Sequence, residues 1–266
     1  MQNSTFRENV VVITGASFGI GQHLALQLAE KGAWLALAAR SQEKLNAVAD
    51  QCGRLGGRVV AIPTDVAEPA LCQHLIERTV EEYGRIDTLI NNAGIGMDSR
   101  FDALQDLTVF EKVFRVNFFG AVYCTHYALP YLKETRGRIV GVASQRGKFP
   151  SATADAYTPS KHAMAGFFDS LRIELADSGV SVTMIYPSWV STGISTRSLR
   201  RDGALTGALS KHEKNAMPVE VCARKILKAV AKRQREDMMT FQGKAGLWLK
   251  LIAPQLVDEV ARKGTE

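Results

Sequence analysis

Cysteine is sparse and poorly spaced for metal or disulfide chemistry. Cys52, Cys72, Cys124 and Cys222 form no C-x-x-C pair, so neither a zinc site nor a disulfide framework is expected, and no metal ligand set is assigned. Four reduced thiols suit the cytoplasm. The opening MQNSTFRENVVVITG has no basic segment followed by an apolar run and a small-residue cleavage site, which argues against a secretory leader. No internal repeat, low-complexity tract or Pro- or Gly/Ser-rich spacer interrupts the sequence, so residues 1–266 read as a single domain. Basic residues are in excess, net +6 with a pI near 9.2. They are dispersed and carry no nucleic-acid motif, so a nucleic-acid partner is not expected. The excess can draw an anionic cofactor, an acidic substrate or a membrane surface, or serve only solubility.

What is present is material for a large core: 46% of residues are hydrophobic and 23% charged, as in globular domains. Short β-branched and aliphatic runs at 9–14, 34–39, 58–62, 86–90, 138–143 and 181–186 read as buried strands, with a weaker one at 237–241. Helical patterns separate them. In 19–31, Ile20, Leu24 and Leu28 fall four apart and Gly32 follows as a stop. Strand alternating with helix predicts a doubly wound α/β fold, a central parallel sheet of about seven strands with helices on both faces. In such sheets ligands sit beyond the carboxyl ends of the strands.

The first strand runs straight into Thr14-Gly15-Ala16-Ser17-Phe18-Gly19-Ile20-Gly21. Glycines there allow a tight turn and close backbone approach to a pyrophosphate, and the following helix N-terminus favours its negative charge. The same turn by itself also serves as a plain strand-to-helix connection. Its spacing resembles the TGxxxGxG loop of the short-chain dehydrogenase/reductase family, whose fold is the Rossmann type. That resemblance implies contacts to a dinucleotide from Gly15, Ser17, Phe18, Gly19, Ile20 and Gly21.

In NAD sites an acidic residue about 20 residues further on binds the ribose. Here Ala39 stands in its place, and Arg40 and Ser41 follow. A guanidinium there meets the extra 2′-phosphate, and no carboxylate repels it, so NADP(H) is favoured over NAD(H). Many NADP-using members carry a second basic residue in the glycine loop where this chain has Phe18. The resemblance extends to Asp65-Val66, implied to reach the adenine, and to Asn91-Asn92-Ala93-Gly94, of which Asn92, Ala93 and Gly94 pack on the adenosine side. Taken singly, Asp65 is equally a helix cap and NNAG an ordinary turn.

Tyr157 and Lys161 are four apart, on one face of a helix whose apolar stripe continues through Met164, Phe167, Phe168, Leu171 and Leu175. A nearby ammonium brings a phenol's pKa down from about 10, which predicts Tyr157 as general base in oxidation and general acid in reduction, with Lys161 supplying the charge. Ser144, thirteen residues before Tyr157, completes the family's Ser…Tyr-x-x-x-Lys pattern and can stabilise negative charge on the substrate oxygen. Asn117 resembles the family's asparagine that relays protons from the lysine through water. The plainer alternative is a buried asparagine satisfied by backbone. Tyr157 and Lys161 are also implied cofactor contacts, as are Pro187, Val190 and Thr192. These last three resemble the family's PGxxxT segment, with Ser188 in place of its glycine.

Residues 188–217 lack a period and hold Arg197, Arg200, Arg201, Lys211 and Lys214 against Asp202 and Glu213. The resemblance makes this the substrate lid, and its charge is either steering for an acidic substrate or simple solvation. Ile95, Gly96, Met97, Gln145, Arg146, Phe149 and Trp189 are pocket candidates, suited to a partly apolar carbonyl or secondary alcohol, lipid-like or steroid-like. The apolar extension at about 244–260 is interrupted by Lys250 and Pro254 and falls short of the about 20 residues that span a bilayer. It resembles the C-terminal segment of membrane-associated relatives in the seventh dehydrogenase/reductase subgroup. It predicts either peripheral membrane contact or, preferred here, packing on a partner subunit in a homodimer or homotetramer. Together these features predict an NADP(H)-dependent oxidoreductase. The alternatives are a non-catalytic NADP(H)-binding regulator or scaffold, which the complete Ser144, Tyr157, Lys161 and Asn117 set argues against, and an extended nucleotide-sugar epimerase, for which the chain is too short.

Overall fold

Alternate residues of the first two strands face opposite sides of one sheet. Val11 and Ile13 of β1 (Val10–Thr14) and Leu35 and Leu37 of β2 (Trp34–Ala39) enter one buried cluster, while Val12, Ala36 and Ala38 enter the other. Because both faces are covered, these strands have no polar face, as expected of a parallel sheet. The computed structural model describes residues 5–153, 156–210 and 215–263.

Seven strands form the sheet. Beyond β1 and β2 they are β3 (Arg58–Pro63), β4 (Thr88–Asn91), β5 (Arg138–Val142), β6 (Ser181–Tyr186) and, last in the chain, β9 (Glu236–Met238). Their order is β3-β2-β1-β4-β5-β6-β9, and every pairing is parallel. One face carries α1 (Gly19–Ala29), α2 (Gln42–Arg54) and α7 (Val219–Ala231). The other carries α3 (Pro69–Tyr83), α5 (Gly120–Glu134) and α6 (Tyr157–Glu174). This is the doubly wound α/β fold. The chain leaves β1 for β2 and β3 on one side and returns to start β4 on the other, so the cleft opens above β1 and β4 at the reversal.

Two local differences from the sequence reading concern the edges. The seventh strand is shorter than 237–241, because Thr240 leaves the sheet to cap α8 (Phe241–Ile252), its side chain accepting from the Gly243 N–H. A two-residue ladder, β7 (Val190–Ser191) with β8 (Met217–Pro218), is not foreshadowed by any periodicity. It clips together the two ends of the expected lid. Within that segment Ser210 N donates to Ser195 Oγ at 3.2 Å, and Leu199 bridges to Met97 and Leu205. Lys211, Glu213 and Lys214 lie outside the described residues.

The C-terminal extension forms α8 and α9 (Pro254–Lys263), which leave Phe241, Trp248, Leu251, Ile252 and Val260 exposed. No helix among the described residues is long and apolar enough to cross a membrane.

Candidate active site

The loop after β1 is closed by close packing against the loop after β4. Gly15 has φ +66, and a Cβ there would come within 2.8 Å of the Ala93 Cα. A Cβ on Gly21, in the first turn of α1, would meet the Gly15 carbonyl oxygen at 2.3 Å. Thr14 ties the two loops: its Oγ1 accepts from the N–H groups of Asn92 and Ala93, both at 3.0 Å. The Asn92 side chain donates to the Thr14 and Gly15 carbonyls at 2.9 and 3.2 Å. Sequence reasoning missed Thr14 as a site residue, although it opens the TGxxxGxG motif. No acidic residue stands in the first turn of α1, and Phe18 caps it without a side-chain hydrogen bond. Glycine at 15 and 21 thus lets the two loops pack closely, and the first-turn N–H groups of α1, with no side-chain cap and no nearby acid, suit a phosphate.

At the end of β2, Arg40 is exposed and enters no ion pair with a described residue. Ser41 is spent as the N-cap of α2, accepting from Lys44 N at 3.4 Å. After β3, Asp65 accepts from Ala67 N at 3.1 Å, a local turn, and Val66 is buried against Gly120.

Asn117 is fully buried in a single π-helical turn, Arg115–Phe119, between α4 (Leu107–Phe114) and α5. Such turns carry one extra residue and re-aim side chains. Its oxygen accepts from Ile95 N at 2.8 Å, and its nitrogen donates to Ile95 O at 3.0 Å and to Ser160 Oγ at 3.1 Å. Ser160 in turn donates to the Tyr157 carbonyl at 2.7 Å. The amide is therefore committed to the Ile95 backbone and to Ser160, so the side chain helps to position the start of α6.

Ser144 follows β5, and Tyr157 and Lys161 lie on the first turns of α6. All three line one cavity of about 620 Å³ with Gly15, Phe18, Gly19 and Ile20 of the first loop. Asn92, Ala93, Gly94, Pro187, Val190 and Thr192 line it as well. Ser17, Gly21, Arg40, Ser41, Asp65, Val66 and Asn117 do not. Thr192 packs where a Cβ on Gly19 would lie, at 3.2 Å, so the start of the lid touches the glycine loop.

The electrostatics differ from expectation in one respect. Burial raises the Tyr157 pKa above its ordinary value, opposed by hydrogen bonding from Ser144 and by the charge of Arg146. The Lys161 ammonium donates to the Val142 carbonyl at 3.1 Å, with its Nζ 5.8 Å from the Tyr157 ring centre. Burial alone brings Lys161 down to about 8. The phenol is thus held in its protonated form at neutral pH.

Of the pocket candidates, Gly96, Met97, Gln145, Arg146 and Trp189 line the cavity. Ile95 instead packs with the cluster around Val109 and Leu199, its backbone held by Asn117. Phe149 does not line it and packs instead near Gly246 of α8 and the second buried cluster. Residues missed from sequence are lid side chains such as Ile194, Ser198 and Leu209. They come from an aperiodic segment whose path is set by tertiary contacts.

The model of the "short chain dehydrogenase" family matches residues 9–202. The chain is 34% identical to "11-beta-hydroxysteroid dehydrogenase-like 4A" of Arabidopsis thaliana, over 93% of its own length and 82% of that protein's. It is 33% identical to "11-beta-hydroxysteroid dehydrogenase A" of Sesamum indicum, over 95% and 74%. Among solved structures, an alcohol dehydrogenase from Thermococcus sibiricus complexed with 5-hydroxy-NADP superposes with TM-score 0.77 at 26% identity, covering 87% of this chain and 95% of that one. A short chain dehydrogenase/reductase from Burkholderia phymatum in complex with NAD shares the fold with TM-score 0.84 at 24% identity, covering 96% of each chain. The chain therefore belongs to the short-chain dehydrogenase/reductase family of NAD(P)-binding oxidoreductases.

Proposed function

We propose that the protein interconverts a carbonyl and a secondary alcohol on an apolar, steroid-like or lipid-like small molecule using NADP(H), with Tyr157 as general acid in reduction and general base in oxidation. The reading rests on the convergence of Ser144, Tyr157 and Lys161 in one cavity beside the glycine loop. The nicotinamide cofactor supplies or accepts the hydride when bound. The Ser144 hydroxyl donates to the substrate oxygen as negative charge grows on it. Tyr157, kept protonated by burial, delivers its proton to that oxygen during reduction. Lys161, at about 8, still holds a proton at neutral pH with which to replenish the phenol.

The NADP(H) preference rests on Arg40, exposed and without an ion pair among described residues, and on Ala39 where an acid would be needed. The substrate class rests on the apolar lining from Met97, Trp189, Ile194 and Leu209 and on the hydroxysteroid dehydrogenase names of the relatives. Titration with NADPH and NADH by nicotinamide fluorescence, then a panel of keto-steroids and secondary alcohols followed by cofactor absorbance, tests it. Tighter NADPH binding with turnover of a panel member is expected. Failure to bind either nucleotide would overturn the reading, and binding without turnover would reduce the protein to a cofactor-binding module.

A further inference from the structure

Arg146 is a cation in the cleft that the reaction above does not use. It is the second residue of the short 3-10 turn Gln145–Gly147, and its N–H donates to Ser144 Oγ at 3.2 Å. The side chain lies along the cavity wall, the guanidinium carbon 5.4 Å from the Trp189 ring centre and 6.0 Å from that of Tyr157. All three residues line the cavity. Aromatic faces attract a cation, but they leave a guanidinium's forked N–H donors without acceptors of matching geometry. Among the described residues no carboxylate pairs with Arg146, and Asp98, the one carboxylate among those lining the cavity, forms no ion pair with it. Lys161, the other cation there, already donates to the Val142 carbonyl.

We propose that Arg146 is a specificity-determining residue of the cleft, pairing with a carboxylate that the substrate carries a few bonds from its reacting carbonyl or carbinol carbon. The distance follows from position: the guanidinium carbon lies 6.0 Å from the ring centre of Tyr157, at the reacting end. The chemistry follows from the fork, which binds a planar carboxylate through two parallel hydrogen bonds. The apolar walls take the rest of the molecule, so the substrate class is an oxo or hydroxy acid with a hydrophobic body. The proposal rests on the reading of Ser144 and Tyr157 as marking the reacting end.

The test uses 3-benzoylpropionate and its methyl ester, in which a methyl group replaces the charge. Each is titrated by calorimetry into the NADP+-saturated protein as wild type, Arg146→Gln and Arg146→Lys, and each is then assayed for reduction with NADPH. Retained NADP+ affinity shows that the variants are folded. The acid is expected to bind wild type about 10-fold or more tighter than the ester, with the ratio falling toward one in Arg146→Gln and partly kept in Arg146→Lys. Equal binding of acid and ester to wild type, or an unchanged ratio in Arg146→Gln, overturns the proposal. If the binding ratios behave as expected while neither compound is reduced, the anion site stands and it is the reductase reading that fails.

Discussion

The ammonium of Lys161 is anchored by the Val142 carbonyl at 3.1 Å, so the cation beneath the cleft is held by the end of β5 and not by the phenol of Tyr157. One neutral acceptor offsets little of the cost of burying a charge, and the pKa falls to about 8 from 10.5. The fold carries that cost in full below about pH 8, where folded and unfolded chains are both protonated. Between about 8 and 10.5 the unfolded chain binds more protons, so this group makes stability rise with pH across that window. The full cost is about 3 kcal/mol by linkage. Lys161→Met, which also strips Val142 of its donor, is expected to gain on the order of 1–2 kcal/mol at pH 7 and raise Tm while losing turnover. A lower Tm at pH 7 would contradict the account.

Tyr157→Phe removes the proton donor and keeps the ring that packs beside Arg146. We expect kcat to fall on the order of 10³-fold, with cofactor affinity changed by less than about threefold. Full activity would remove Tyr157 from the mechanism.

How far the site was legible follows from how local each part is. The glycine loop, NNAG, Ser144 and the Tyr157 helix are short motifs at strand ends, and alternation of strand with helix is enough to bring them to one edge of the sheet. The fold class follows from the same pattern, since Val11 and Val12 both find apolar partners. Three features were hidden. The π-turn at Asn117 has no periodic signature, so the commitment of its amide to Ile95 and Ser160 emerges only in three dimensions. The β7–β8 clip joins residues far apart in sequence through two short runs. Phe149 follows β5 as a pocket wall would, yet α8 draws it away.

Because burial holds the Tyr157 phenol above its ordinary pKa, its acid form predominates through the neutral range. Carbonyl reduction is expected to vary little between about pH 6 and 8. Alcohol oxidation, which needs the deprotonated base, is expected to rise steadily from about pH 7 to 10. Initial rates in both directions across that range check it; oxidation falling above neutrality would show that another group carries the proton.

Gly21 leaves no room for a methyl group, since a Cβ would sit 2.3 Å from the Gly15 carbonyl oxygen and 2.6 Å from the Asn92 side-chain nitrogen. Gly21→Ala must push α1 away from the loop or break the Asn92 bonds. The expected cost is about 1–3 kcal/mol in stability, with weaker binding of NADPH and NADH alike, measured by denaturation and fluorescence titration. Gly166, in the interior of α6 with nothing within 4 Å of an added Cβ, is the control: Gly166→Ala should leave cofactor binding near wild type and raise stability by up to about 1 kcal/mol.

Arg40→Asp reverses the charge at the end of β2, where Ala39 is buried at 7% exposure and Arg40 reaches solvent. If Arg40 meets the 2′-phosphate, the variant both removes a charge-assisted contact and adds a like-charge repulsion. NADPH affinity should then fall by about 100-fold or more. NADH has no phosphate there, and a carboxylate can accept from its ribose hydroxyls, so its affinity should hold or improve. Raising the salt should shrink the wild-type preference for NADPH, because an exposed cation is screened. Parallel losses for the two nucleotides would show instead that the substitution disturbs the cap of α2 at Ser41, and the preference would need another source.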